Sequence, residues 1–236
     1  MSAPEGLPPR LAARLKDFER FCTDEIDRNI IQSAPADPQA ETIYHYTDVK
    51  GALGILTSGR LWLTERAHLN DPSEIQYGVD CAVTIAEELA GNAPSDLRRK
   101  AVSLLKDGLN AGLRALGFYI ASFSFDPNDL GQWRAYADEG RGVALGFSFG
   151  AFDQDAPGQT VLKPPHTVAL RYKKHILEQY QRRCIERALA LLEASELREE
   201  FSNHDRVAVR WIFTKLGVLI VLNSVLFKHP AYGHEK

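Results

Sequence analysis

The amino-acid sequence predicts an α+β fold in which small mixed or antiparallel sheets are flanked by helices. Strand-like segments fall into two groups, and a pair of helical segments separates these groups. A regular alternation of strand and helix is missing, and so are the GxGxxG and GxxxxGK[ST] phosphate-binding motifs and any internal repeat. Together these observations disfavour a doubly wound parallel sheet. We also expect neither the HExxH motif of metalloproteases nor the GxSxG motif of serine hydrolases.

An amphipathic helix is predicted for residues 9–32, because apolar side chains recur there at intervals of three and four. Pro35 and Pro38 then end the pattern. We therefore expect residues 1–40 to form an N-terminal helix and linker, and the helix either docks on the main body or mediates self-association or partner binding. Residues 41–236 are expected to form a single α+β domain. The apolar positions of the helix are Leu11, Leu15, Phe18, Cys22, Ile26 and Ile30.

The predicted domain opens with a strand, TIYHYT, followed directly by a short helix. Asp48 is the expected N-cap of that helix and Gly59 its C-terminal stop, and Ser95 is the expected N-cap of a later helix at 96–116. Local alternation, helical periodicity and turn residues define the later elements. These are strands at 60–64, 118–125, 142–149 and 166–172, a loop with one short helical turn at 126–142, and helices at 73–90, 96–116, 173–199 and 205–226.

Composition indicates a soluble globular protein with no strong attraction to polyanions. Apolar residues make up 44%, charged residues 25%, and the net charge is −3. The three cysteines lack CxxC spacing, which disfavours a zinc ribbon or a disulfide framework, and we expect no bound metal. The N-terminus lacks the apolar run of a secretory signal, and Leu216–Phe227 is shorter than the ~20 residues that span a bilayer. A cytoplasmic protein without a membrane partner is expected.

The first polar cluster lies at the end of the first strand, where His45 and Thr47 alternate with Tyr44 and Tyr46. A ligand site is one interpretation of this cluster. A core histidine that is hydrogen-bonded to a backbone carbonyl is the other.

Two further polar clusters follow. Asn70, Asp71 and Glu74 could bind a ligand, or could form an Asx-turn and an exposed helix-start charge. Arg141 lies between two glycines, which suits either close approach to an anion or a simple hairpin turn. The third cluster runs from the second strand group into the short helical turn, where core packing is the alternative interpretation. It comprises Ser122, Ser124, Asp126, Asp129, Gln132, Trp133, Arg134 and Tyr136.

The C-terminal segment FKHPAYGHEK is rich in ionisable side chains. Metal binding by His229, His234 and Glu235 is conceivable, although their spacing matches no established ligand pattern. A frayed terminus is the alternative.

The order of short motifs resembles that of a widespread bacterial family of unknown function. The motifs are IYHYTD, LWLT, LNDPSE, SFS, WRAYA, GRGVALGF and FKHPAYGHEK, and they extend over residues 43–236. Members of that family continue beyond the last motif with charged residues and another strand. The chain is therefore expected to be truncated at its C-terminus.

The opening of the domain also resembles the ADP-ribosyltransferase superfamily, which includes DNA-targeting toxins and poly-ADP-ribose polymerases. In those enzymes a strand with a histidine and a hydroxyl residue precedes a helix, a glycine and an aromatic-containing strand, and a glutamate lies on a late strand. The positions that match this order are His45, Thr47, Gly59, Trp62 and Glu235.

This second resemblance implies a split sheet, NAD as substrate, and a toxin or phage-defence role with a protein or nucleic-acid acceptor. His45 and Glu235 would be catalytic, and Thr47 would hydrogen-bond the substrate. Arg134 or Arg141 would pair with the pyrophosphate. The aromatic residue that stacks on nicotinamide would be Trp62, Tyr46 or Tyr77.

Two other functions remain open from the sequence. The first is a non-catalytic module that binds a nucleotide or a nucleic acid, for which a basic cluster would be needed. The second is a metal-dependent hydrolase that uses the C-terminal histidines. The candidate basic cluster comprises Arg98, Arg99, Lys100, Arg171, Lys173 and Lys174.

Overall fold

The structure is a computed structural model, and it describes most of the chain. The described residues are 6–33, 35–37, 40–65, 68, 73–91, 95–152, 167–168, 170, 173–194 and 198–227. The elements in chain order are α1 (Pro9–Ser33), β1 (Thr42–Thr47), α2 (Val49–Ser58), β2 (Thr64–Glu65), α3 (Ser73–Ala90), α4 (Asp96–Ala115), β3 (Tyr119–Ile120), α5 (Leu130–Tyr136), β4 (Val143–Ser148), α6 (Lys174–Glu193) and α7 (Arg198–Ser224). Short 3₁₀ turns lie at Asp138–Gly140 and Phe149–Phe152. The helices and small antiparallel sheets confirm the α+β class.

Contacts divide the chain into two compact units. The helical unit contains α1, α3, α4, α6 and α7. The strand unit contains the four strands together with α2 and α5. The helix predicted at the N-terminus thus belongs to the same unit as the four long helices.

The first helix buries the face that its apolar spacing predicts. Leu11, Leu15 and Cys22 are completely buried, and Phe18 is almost so. One buried charge accompanies them, because Glu25 accepts hydrogen bonds from Arg183 of α6 at 2.6 and 3.0 Å and also pairs with Arg28. Removing one partner from a buried ion pair leaves an uncompensated charge, so this contact holds α1 firmly to α6.

Two cysteines meet beside that ion pair. Cys22 of α1 and Cys184 of α6 are both fully buried free thiols. A hydrogen bond with Cys184 and burial raise the pKa of Cys22 above its ordinary value. Because the thiolate is the reactive form of cysteine, these thiols act as small apolar packing groups.

The last helix, α7, is the core of the helical unit. Ile212, Leu216 and Ile220 are completely buried, and Trp211 is nearly so. By length and composition alone, Val207–Ser224 could cross a membrane, and 67% of that segment is buried inside the protein. Its apolar character is therefore accounted for in large part by packing against the other helices.

Glycines bring α4 and α7 into backbone contact. A Cβ atom on Gly217 would lie 2.3 Å from the carbonyl carbon of Gly108. A Cβ atom on Gly108 would lie 2.3 Å from the carbonyl oxygen of Phe213. Real side chains do not tolerate such distances, so the two helices can cross this closely only where both residues lack a side chain.

The strand unit is built on the antiparallel pairing of β1 with β4. Thr42 lies opposite Ser148 at one end of the pair, and Thr47 lies opposite Val143 at the other. Ser124 adds a single bridge on the free edge of β1, exchanging backbone hydrogen bonds of 2.8 and 2.9 Å with Tyr44. Three chain segments therefore meet side by side at β1.

The two strands predicted at 60–64 and 118–125 are much shorter than expected. Only β2 and β3 form from them, paired through Thr64 with Ile120 and Glu65 with Tyr119. Trp62 stays 86% exposed. Alternating apolar residues favour extended backbone, but a strand also needs a continuous partner, and residues 60–63 have none among the described residues.

Local signals placed the ends of α2 correctly. The Asp48 carboxylate accepts a hydrogen bond of 2.6 Å from the backbone N–H of Gly51, and Gly59 has φ of 62°. Ser95 likewise caps α4 through the N–H of Arg98. The strand predicted at 166–172 lies mostly outside the described residues.

Replacing Gly217 with alanine should lower the free energy of unfolding by about 1–3 kcal/mol, because the new methyl group would overlap the backbone of Gly108. Urea unfolding followed by circular dichroism measures this change. Gly54→Ala is the matched control, since a Cβ atom there meets nothing within 4 Å. Alanine inside that helix should raise the free energy of unfolding by about 0.5–1 kcal/mol. An unchanged midpoint for Gly217→Ala would contradict close contact between α4 and α7.

Candidate functional site

The candidate site lies where β1 leaves the sheet, and we call His45–Asp48 together with Gly142 the corner. Gly142 directly precedes β4, and a Cβ atom on it would lie 2.2 Å from the carbonyl oxygen of Thr47. Gly51 of α2 is similarly tight, because its Cβ atom would lie 2.3 Å from Oγ1 of Thr47. Backbone thus surrounds Thr47 on two sides, and the direction of the chain at the corner is fixed.

His45 is held by a backbone group of the segment that follows β3. Its Nδ1 atom lies 3.0 Å from the carbonyl oxygen of Ser122, and its ring lies 5.5 Å from the ring of Phe123. A carbonyl oxygen only accepts hydrogen bonds, so Nδ1 carries the proton and Nε2 of the neutral ring is left as an acceptor. The ring is half-buried. This is the carbonyl contact expected of a structural histidine, and it also presents Nε2 in a defined orientation.

Tyr46 points to the opposite face of β1 and is only 3% exposed. Its hydroxyl donates to the carbonyl oxygen of Asp126 at 2.6 Å and accepts from the backbone N–H of Asp129 at 2.9 Å. The ring packs edge-on against Trp133 with centroids 5.0 Å apart. Burial raises the pKa of this phenol. In this conformation the ring is inaccessible to the stacking ligand that the superfamily resemblance implies.

Asp129 connects this contact to α5. Its Oδ1 atom accepts hydrogen bonds from the N–H groups of Gly131 at 2.8 Å and Gln132 at 3.2 Å, which makes it the N-cap. Asp129 is 8% exposed, and its Oδ2 atom has no hydrogen-bond donor among the described residues. Asp129 belongs to the third polar cluster of the sequence, and an aspartate before a short helical run is also an N-cap signal.

The two candidate arginines differ in what they contact. Arg141 donates to the Asp138 carboxylate at 2.7 Å and to the Asp138 carbonyl oxygen at 3.2 Å, and this hydrogen bonding raises its pKa. The turn that carries the pair is strained, with φ of 48° at Asp138 and 54° at Glu139. Arg134 is exposed on α5, and its guanidinium has no partner in the part of the chain that the structure describes.

The serines and Tyr136 complete this neighbourhood. Ser124 is buried, and its Oγ atom accepts from the N–H of Asp126 at 3.1 Å. Ser122 contributes its carbonyl oxygen to His45, while its side chain is exposed. Tyr136, at the end of α5, is 42% exposed. The segment from Ser122 to Tyr136 therefore contacts β1 through backbone as well as side chains.

Of the other predicted site residues, Trp62 belongs to the strand unit and Tyr77 to the helical unit. Trp62 extends into solvent, and Tyr77 belongs to α3 of the helical unit, where burial raises its pKa to about 12. Asn70, Asp71 and Glu235 lie outside the described residues, as does the side chain of Glu74. Their assignment to the site remains a prediction.

Residues 146–150 read GFSFG and match the GxSxG pattern of hydrolase nucleophiles, so the expectation that this pattern is absent is wrong. In α/β-hydrolases the serine occupies a sharp turn between a strand and an α-helix. Here Ser148 is the last residue of β4, paired with Thr42, and a 3₁₀ turn follows it. The local structure therefore differs from a nucleophile elbow.

No three His, Cys, Asp or Glu side chains are grouped to hold a metal ion within the described ranges. His229 and His234, the histidines considered for a metal, lie outside those ranges. The metal interpretation is thus untested at the positions that suggested it.

The model of a family described as "Protein of unknown function (DUF2971)" matches residues 132–236. No curated protein and no solved structure matches the chain. The family match supports the resemblance to a family of unknown function, and it includes most of α5, Gly142 and β4 but not β1.

Neutral His45 should exist as the tautomer protonated at Nδ1, because only that form can donate to the Ser122 carbonyl. Long-range proton–nitrogen correlation spectra of the ¹⁵N-labelled protein distinguish the two ring nitrogens. The His45→Gln variant assigns the signals. Protonation of Nε2 in the neutral ring would contradict the contact with Ser122.

Proposed function

We propose that the corner binds NAD and that the protein transfers ADP-ribose from it to a protein or nucleic-acid acceptor. The observation that carries this proposal is the orientation of His45, whose Nδ1 is committed to the Ser122 carbonyl at 3.0 Å. The resemblance to DNA-targeting members of the ADP-ribosyltransferase superfamily supplies the reaction and suggests a toxin or phage-defence role.

Nε2 of His45 is the group that would contact substrate. With its proton on Nδ1, the neutral ring offers Nε2 as an acceptor for a ribose hydroxyl. Thr47 lies two residues further along the same face of β1, where its hydroxyl would add a second polar contact. Both side chains belong to a strand whose register is fixed by β4, which favours a precisely held substrate.

The chemistry requires a carboxylate in addition. Cleavage breaks the bond between ribose C1′ and the nicotinamide nitrogen, and the electron pair leaves with neutral nicotinamide. The sugar develops oxocarbenium character, which a nearby carboxylate stabilises, and the acceptor then bonds to C1′ and loses a proton. Glu235 is the predicted carboxylate, and it lies outside the described residues.

The guanidinium of Arg134 is better suited than that of Arg141 to bind the pyrophosphate. Arg141 would first have to leave Asp138, to which it makes two hydrogen bonds. Arg134 has no such competitor among the described residues, and a guanidinium can donate two parallel hydrogen bonds to phosphate oxygens.

A non-catalytic nucleotide-binding module is the second candidate function. The contact of His45 with a backbone carbonyl favours it, because the same contact serves a histidine that only shapes a binding surface. Such a module would bind NAD without releasing nicotinamide.

Purified protein mixed with NAD should release nicotinamide, and His45→Ala should reduce the rate by about 100-fold or more, since it removes an orienting group. Liquid chromatography of the reaction mixture measures the product. Ser122→Ala is the matched control, because His45 uses only the carbonyl of that residue. Binding without release would favour the binding module. Failure to bind NAD at millimolar concentration would exclude both functions.

A further inference from the structure

The buried Tyr46 hydroxyl links two segments of the strand unit. It joins β1 to the loop before α5 through two hydrogen bonds, one donated and one accepted. Because Tyr46 is almost fully buried, both hydrogen bonds are shielded from water and fix the orientation of the hydroxyl. The contact therefore defines where the loop lies relative to the strand that carries His45.

Asp129 connects the Tyr46 hydroxyl to α5. Its backbone N–H donates to the Tyr46 hydroxyl, while its carboxylate accepts from the N–H groups of Gly131 and Gln132 in the first turn of α5. Asp129 thus contacts β1 through its backbone and caps the N-terminus of α5 through its side chain. Trp133 provides a second point of attachment, through its edge-on packing against the Tyr46 ring.

Arg134 follows Trp133 directly, so its backbone position depends on both attachments. We infer that Tyr46 and Asp129 are positioning residues that hold α5 in place, so that the guanidinium of Arg134 binds the diphosphate group of the substrate. This inference rests on the proposed function, since it assigns the anion-binding part of the same site. It also assigns Tyr46 a positioning role in place of the stacking role that the superfamily resemblance implies.

The physical reason is the cost of ordering a long side chain. Arginine loses rotamer entropy when it binds a phosphate, and a helix whose orientation varied would add to that cost. Fixing α5 at its N-cap and at Trp133 leaves only the Arg134 side chain to be ordered. Removing the Tyr46 hydroxyl should therefore weaken anion binding through Arg134 even though that hydroxyl never contacts the ligand.

A double-mutant cycle tests this dependence. Inorganic pyrophosphate and, separately, NAD are titrated into the wild-type protein and into Tyr46→Phe, Arg134→Ala and the double variant, with affinity measured by nuclear magnetic resonance. Arg134→Ala should weaken binding roughly tenfold or more, as expected for a lost charge-assisted contact. Tyr46→Phe should weaken it severalfold, and the double variant should match Arg134→Ala alone. Additive losses would overturn the inference.

Asp129 supplies a second, independent readout. Asparagine is also a good N-cap, so Asp129→Asn should keep wild-type affinity for pyrophosphate, whereas Asp129→Ala should reproduce the loss seen in Tyr46→Phe. Equal losses in both Asp129 variants would show that its charge, and not the cap, is required, which contradicts a positioning role. Unchanged affinity in Asp129→Ala would contradict it as well.

The outcomes separate the inference from the proposed function. Non-additive coupling in pyrophosphate binding, without release of nicotinamide from NAD, would support the inference and reject the enzymatic activity. Release of nicotinamide with additive coupling would retain the activity and reject the inference. Wild-type protein that binds no pyrophosphate would overturn the inference directly.

Discussion

The pairing of β1 with β4 is the constraint on which the strand unit depends. Its register places Thr47 opposite Val143, and Gly142 then packs against the Thr47 carbonyl at a distance that excludes any side chain. Side chains alternate across a strand, so a slip of one residue would exchange the two faces of β1. The glycine contact prevents such a slip at the end of the pair where the chain turns into α2.

The two faces of β1 contact different parts of the segment 122–133. His45 is held by the Ser122 carbonyl on one face, and Tyr46 is held by Asp126 and Asp129 on the other. Between them Ser124 pairs with the strand edge. Residues 122–133 therefore wrap around the edge of β1, and most of their contacts with it are made by backbone atoms. In β1, by contrast, side chains make these contacts. His45 and Tyr46 are neighbours in the strand and therefore point to its opposite faces.

Sequence patterns identified the long helices and their caps because those signals are local. Periodic apolar residues located α1, and Asp48, Gly59 and Ser95 located helix ends. Strands were less predictable, since residues 60–63 have an extended pattern but no pairing partner among the described residues. Alternation also could not show which face of β1 is covered, so Tyr46 was expected to contact ligand and instead contacts the loop before α5. The carboxylate at Glu235 depends on residues outside the described ranges.

The exposed ring of Trp62 is an intrinsic fluorescence probe of the strand unit. Trp62 is almost entirely in solvent, Trp133 is partly covered, and Trp211 is buried in the helical unit. Indole emission depends on the polarity around the ring, and a water-soluble quencher reaches only exposed rings. Fluorescence from Trp62 will therefore respond to events at the surface of the strand unit, while Trp211 reports on the core of the helices. The chain carries no other tryptophan, so the two units can be followed separately without any added label.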